Sequence, residues 1–270
     1  MKMAKILHVR PKYKKLLIEL FCAVIKDLLK SACIAVMTAF FLFFGNILFN
    51  EYKSIKDTKD KFQALSLGEY REYVDSMFGI PRFVLHIDKS IQTCFYITDI
   101  AIFQCIYDEN QLVGFMMTLK EKENHMELSI SNMEIKVNLG IDSFYKIRND
   151  VEKIQVNLAN GGGSFANSYY RELYYLTGIG HYNTLVLGVE PIGFLEYNGF
   201  KIIEKAFGNT DHLDNFDFHK QRMDALPNTV GLIEDEYISY VDKIVKHPSW
   251  IVCVDNLSEG RLEDYNEDTE

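Results

Sequence analysis

A chain of 270 residues, 48% hydrophobic and 25% charged, has an ordinary globular composition and is long enough for one large domain or two small ones. Residues 1–50 hold eight Lys or Arg against Glu19 and Asp27, a balance of +6; against the overall −9, this leaves −15 for residues 51–270. So acidic a body repels phosphate backbones, which argues against nucleic acid as a partner.

Residues 1–30 read as a basic N-terminal segment with an amphipathic helix. Leu16, Leu17, Leu20, Phe21, Val24, Ile25, Leu28 and Leu29 form one helical face, edged by Lys14, Lys15, Lys26 and Lys30. This face either lies in the inner headgroup layer or extends a membrane helix. Residues 31–50, SACIAVMTAFFLFFGNILFN, carry no charge over 20 residues. As a helix they reach about 30 Å, the thickness of a bilayer core. Phe40, Phe41, Phe43 and Phe44 point all round, unlike the one-sided face of a soluble helix, and no small-x-small cleavage site follows.

Eight basic residues precede the span, and Lys53, Lys56, Lys59 and Lys61 follow it. The bias predicts a single-pass inner-membrane protein with a cytoplasmic N-terminus and an exported body. The lipid bilayer is therefore one expected partner. Cys22 and Cys33 lie in or near the span, leaving Cys94, Cys105 and Cys253 for the body. That set is neither a disulfide framework nor a zinc site, although Cys94 and Cys105 could pair if their strands are neighbours. Otherwise they are buried free thiols.

Residues 51–65 read as a solvated juxtamembrane stalk of mixed charge. Residues 66–256 are expected to form a soluble α+β domain, mainly an antiparallel β-sheet with flanking helices. It opens on a helix from Leu67 to Phe78, with Ser66 and Glu69 as a capping box, Gly79 at the C-terminus and Pro81 as a stop. TCFYIT, IAIFQCIYD and QLVGFMMTLKE read as strands, separated by turns at Thr98-Asp99 and Asp108-Glu109-Asn110. MELSISNMEIKVNLG reads as a strand pair, and VEKIQVNLAN as a further strand. The order resembles an antiparallel meander, which can keep one face wet. SYYRELYYLTG suits helix or strand, NTLVLGVE and KIIEKAF suit strands, GLIEDEYISYVDKIVKH a helix, and WIVCV a strand. Residues 257–270 form an acidic tail expected to be disordered.

Asn160–Tyr175, NGGGSFANSYYRELYY, carries three adjacent glycines. A P-loop would need GxxxxGK[ST], but Gly163 is followed by Ser164 and Phe165, and the nearest basic residue is Arg171. Gly161, Gly163 and Ala166 match the dinucleotide fingerprint in part, but Glu190 lies too far along to serve as its acidic residue, so the run reads as a loop. No cofactor is assigned. Asp211, His212, Asp214, Asp217 and His219 cluster within nine residues as a candidate metal site with mixed oxygen and nitrogen ligands; a solvated loop fits equally. Phe165, Tyr169, Tyr170, Arg171, Tyr174, Tyr175, His181 and Tyr182 form the candidate binding face, because tyrosine and arginine dominate recognition surfaces. The competing reading packs half of these rings into the core.

Val186–Lys205 resembles the closing segment of GNAT-type acetyltransferases, with Tyr197-Asn198-Gly199-Phe200 at the tyrosine and GF turn. That resemblance implies Tyr197 as a general acid, but the family's R/QxxGxG pyrophosphate loop does not precede the segment. More broadly, the basic N-terminus, single span, EYREYVDSMFGIP and GGGSFANSYYRELYYLTGIGHYNTLVLG are similar to an uncharacterised bacterial family of single-pass membrane-anchored proteins. The resemblance implies architecture and localisation and no catalytic residue. The expected function is a membrane-anchored, non-catalytic module that binds or senses a protein or small-molecule partner. The alternatives are a membrane-tethered enzyme, acyltransferase-like or metal-dependent, and a membrane-acting effector that uses Leu16–Leu29.

Overall fold

A computed structural model describes residues 11–120, 125–130, 135–149, 154–159, 169–178, 181–190 and 218–238. The chain divides into two compact units, Met1–Lys53 and Ser54–Glu270. The helix α1, Pro11–Ala64, runs through the boundary without a break. It has 54 residues. From Glu19 onward it is long and apolar enough to cross a membrane, and none of its most apolar stretch is buried. Phe40, Phe41, Phe43 and Phe44 are all exposed, as expected for side chains that pack on no protein.

The second unit is built on one eight-stranded sheet in which every pairing is antiparallel. Its strands are β1 (Phe83–His86), β2 (Ile91–Ile97), β3 (Ala101–Asp108), β4 (Gln111–Leu119), β7 (Ile154–Ala159), β8 (Tyr169–Gly178), β9 (His181–Val189) and β10 (Thr229–Glu234). The spatial order is β1-β2-β3-β4-β10-β9-β8-β7. Two meanders, β1–β4 and β7–β9, therefore meet only through the last described strand. A separate hairpin pairs β5 (Met126–Ile130) with β6 (Ile135–Leu139). The short helices α2 (Arg71–Phe78), α3 (Phe144–Ile147) and α4 (Phe218–Asp224) complete the described elements, with a single 3₁₀ turn at Asp235–Tyr237.

The turn chemistry explains the first meander. Thr98 N donates to Ala101 O at 2.9 Å, and the Thr98 hydroxyl accepts from Ala101 N, which closes β2 onto β3. Glu109 takes a positive φ of 55° to turn β3 into β4. A register shift beside Ile106 and Tyr107 then puts one extra β4 residue, Val113, against β3.

The junction strand is set by a glycine. A Cβ on Gly231 would lie 2.3 Å from Phe115 O and 2.8 Å from Met116 Cα, so only glycine lets β10 approach β4 this closely. Thr118 and Thr229, 111 positions apart in the chain, share a 2.8 Å hydroxyl bond across the same seam. GLIEDEYISYVDKIVKH was expected to be helical throughout, but its start is strand β10. Pairing on both sides, to β4 and β9, outweighs the local helical pattern.

Both sheet faces are buried, which corrects the expectation of a wet face. One face carries Cys94, Tyr96, Phe103, Cys105, Tyr107, Phe115, Met117, Tyr170, Tyr174, Leu185 and Leu187, clustered with residues of α1, α2, α3 and the β5–β6 hairpin. The other gathers Ile91, Phe95, Ile102, Ile106, Val113, Met116, Leu173, Val186 and Ile233. Near-continuous apolar runs such as IAIFQCIYD are what a strand buried on both faces requires.

One face of the end of α1 joins this core, while the rest of residues 51–65 stays exposed or half-buried. Phe62 packs edge-on against Phe115 at 5.5 Å, and Thr58 and Leu65 are also buried. Burying a phenyl ring of this kind contributes about 1.5–3 kcal/mol. Helix α2 starts at Arg71, four residues later than the capping box suggested. Ser66 O instead accepts from Glu69 N in a turn, and Tyr70 gives the helix no side-chain cap. Gly79, at φ 84°, ends it as expected.

Candidate functional site

Strand alternation sorts the tyrosine-rich run onto two faces. Successive side chains of a strand point opposite ways, so Tyr170, Glu172 and Tyr174 share the first face with the helices, and Tyr169, Arg171 and Leu173 share the other. Each of these six is buried.

Glu172 anchors the first cluster. Tyr170 Oη donates to its Oε1 at 2.5 Å, and Tyr174 Oη donates to its Oε2. Arg222 of α4 reaches the same carboxylate with Nε at 2.7 Å and Nη2 at 3.1 Å. Nη2 also bonds Arg148 O at 2.7 Å and Tyr174 Oη at 3.0 Å. Arg222 Nη1 is buried and has no hydrogen-bond partner among the described residues.

Burial pushes both tyrosine hydroxyls far above their ordinary pKa, and the Glu172 charge adds to the effect. They therefore stay protonated as donors. Four donors saturate the lone-pair sites of one carboxylate. The arrangement is a closed latch around one carboxylate. It ties α4 and the carbonyl after α3 to the sheet.

The opposite face holds a second buried pair, Arg171 with Glu190. Arg171 lies opposite Gly188 on β9, where a Cβ would come within 3.3 Å of Arg171 Cγ. The missing side chain lets the arginine stem lie across its neighbour. The guanidinium sits 4.6 Å from the Tyr169 ring centroid, a cation–π contact. Asn228 fixes the Glu190 backbone from both sides, accepting from Glu190 N and donating to Glu190 O, each at 2.8 Å.

A third, half-buried network seats α2. Tyr96 Oη donates to Asp75 Oδ1 at 2.6 Å and lies 3.2 Å from Tyr107 Oη. Arg71 spans from Asp75, at 3.5 Å, to Gln92 Oε1, at 3.0 Å. Cys94 and Cys105 lie in the core beneath it.

Of the eight residues in the expected binding face, Tyr169, Tyr170, Arg171 and Tyr174 point into the interior. For these four the core reading replaces the open contact face: the polar ends of Tyr170, Arg171 and Tyr174 are taken up by buried partners, and the Tyr169 ring lies against the Arg171 guanidinium. Tyr175 is exposed, at 38%. His181 and Tyr182 stand at the start of β9, in register with Gly178 and Thr177. Phe165 lies outside the described residues.

Asp211, His212, Asp214 and Asp217 of the candidate metal cluster also lie outside them, as do Tyr197 and the glycine run, while His219 falls on α4. Among the described residues no group of three metal-ligating side chains forms. Sequence reading missed Glu172, Glu190, Arg222 and Asn228. The available signal was Arg171-Glu172, a charged pair in the middle of an aromatic run: inside a buried strand such charges require partners.

These features define a chain with an N-terminal apolar helix of membrane-spanning length and an antiparallel sheet domain with flanking helices. No protein-family model, no curated protein and no solved structure matches it.

Proposed function

We propose that the chain is a membrane-anchored, non-catalytic binding or sensing module, with its N-terminus in the cytoplasm of a bacterial cell and its body exported. The observation that carries this reading is α1. Its apolar stretch packs on no protein, whereas its last turns supply Thr58 and Phe62 to the core of the body. A single helix is thus both anchor and structural element. The saturated Glu172 and the paired Arg171 favour a binding role over catalysis at the tyrosine run.

The contact edge is the β8–β9 hairpin end, where Tyr175 is exposed and Tyr182 and His181 pair with Thr177 and Gly178. Exposed tyrosine supplies a large amphipathic contact at low entropy cost. A photo-cross-linker placed at Asn183, beside Tyr175 across the β8–β9 ladder, should capture a discrete partner from the full chain in intact cells. Tyr175→Ala should lower capture without moving the unfolding midpoint. Unchanged capture by the alanine variant would remove this edge from the proposal.

A further inference from the structure

The two faces of the sheet are covered unequally. Helices α1, α2 and α3 and the β5–β6 hairpin all contribute to the first face, and α4 is held there through Arg222 and Glu172. On the opposite face, β2, β3 and β4 present Ile91, Phe95, Ile102, Ile106, Val113 and Met116. Among the described residues, only Ile87, just past β1, and Tyr237 and Ile238 join this apolar cluster from outside the strands. One 3₁₀ turn cannot seal three strands, yet Phe95 and Ile106 have no exposed surface. Phe83 and Leu85 of β1 are only half-buried, as at the rim of a covered area.

The turn aims the chain at this half of the face. Thr184 Oγ1 donates to Asp235 Oδ1 at 2.5 Å, which ties the turn to β9. Tyr237 Oη donates to Asp108 Oδ2 at 2.7 Å, at the end of β3. Strands β10 and β4 lie between β9 and β3, so Asp235–Tyr237 carries the chain across their ends and toward β3. Ile238 then has helical backbone angles, φ −57° and ψ −37°. From there Tyr237, Ile238, Val241, Ile244 and Val245 fall on one side of a helix, with Ser239, Lys243 and Lys246 opposite and Pro248 as a stop.

We propose that residues 237–247 form an amphipathic helix docked on the sheet face opposite α1–α4, over β4, β3 and β2. Its apolar side meets Phe95, Ile102, Ile106 and Val113, and its lysines face water. Eleven helical residues rise about 16 Å, against about 14 Å for the three strand spacings from β10 to β2. The occupant of this face is therefore a segment of the same chain, pinned at its start by Asp108 and Thr184. The placement is independent of the binding role proposed for the β8–β9 hairpin.

The test places the photo-cross-linking residue p-benzoylphenylalanine at Tyr240, an aromatic position at the edge of the apolar side, in the detergent-solubilised full chain. Linked peptides are assigned by mass spectrometry. We expect links within one chain to peptides of β2–β4. In parallel, Ile244→Ala should raise the unfolding equilibrium constant about 30-fold or more in a urea titration read by pulse proteolysis. Lys243→Ala should leave the midpoint in place. Links between two chains would seat a second copy on this face, and links to residues 191–217 would give the cover to another segment. Either result, or the absence of any link, overturns the proposal, as do equal effects of Ile244→Ala and Lys243→Ala. If Ile244→Ala fails to fold, the Tyr240 cross-link decides by itself.

Discussion

Arg222→Met removes the guanidinium from the first buried cluster and leaves its apolar volume partly filled. Among the described residues Glu172 keeps only its two tyrosine donors, and its fully buried charge then has no countercharge. Breaking one side of a buried pair typically loses about 3–5 kcal/mol. For a unit of this size, 1 kcal/mol moves the melting midpoint by about 2–4 °C. The single variant should therefore melt roughly 6–20 °C lower. Pulse proteolysis in urea on the detergent-solubilised full chain measures the loss directly. Combining Arg222→Met with Glu172→Leu removes both charges, so the double variant should fall short of the summed losses by about 1–3 kcal/mol. A loss below about 1 kcal/mol in the single variant, or strict additivity in the double, would refute the latch.

Gly231→Ala should be among the most damaging single-methyl additions, at about 1–3 kcal/mol or more, because the clash is with backbone atoms. Gly114→Ala, which meets only the movable side chains of Ile233 and Ile106, should lose less in the same urea titration. Phe62→Ala should lower stability by about 3–5 kcal/mol if the end of α1 is core; a loss near zero would restore the solvated stalk. Burial pushes the Asp142 carboxyl up, but bonds from Lys146 and Asn138 outweigh it and hold the group below its ordinary value. The depressed value means that its contribution is present above the unfolded pKa of about 3.9 and is lost as pH falls through the folded value. Asp142→Asn should accordingly flatten the acid limb of a stability-against-pH curve below about pH 4.

Much of the fold was legible locally. The uncharged run at 31–50, the turn at Thr98-Asp99, the stop at Gly79 and the alternation of MELSISNMEIKVNLG each encode their element through interactions within a few residues. The tyrosine-rich run was not legible in this way. Tyrosine fits helix and strand alike, and whether a ring faces water depends on what the other side of the sheet carries. The same holds for β10, whose helical pattern yields to partners more than 40 residues away on β9 and more than 100 away on β4.

The sequence by itself determined an apolar helix of membrane-spanning length, an acidic β-rich body and the positions of most turns, since these depend on composition, period and backbone preference. Only the tertiary structure decided that Glu172 meets Arg222, that Arg171 lies over Gly188 beside Glu190, and that Cys94 faces Cys105. Those pairings follow from strand order and register, which are set when distant segments bury shared surface and satisfy one another's polar groups.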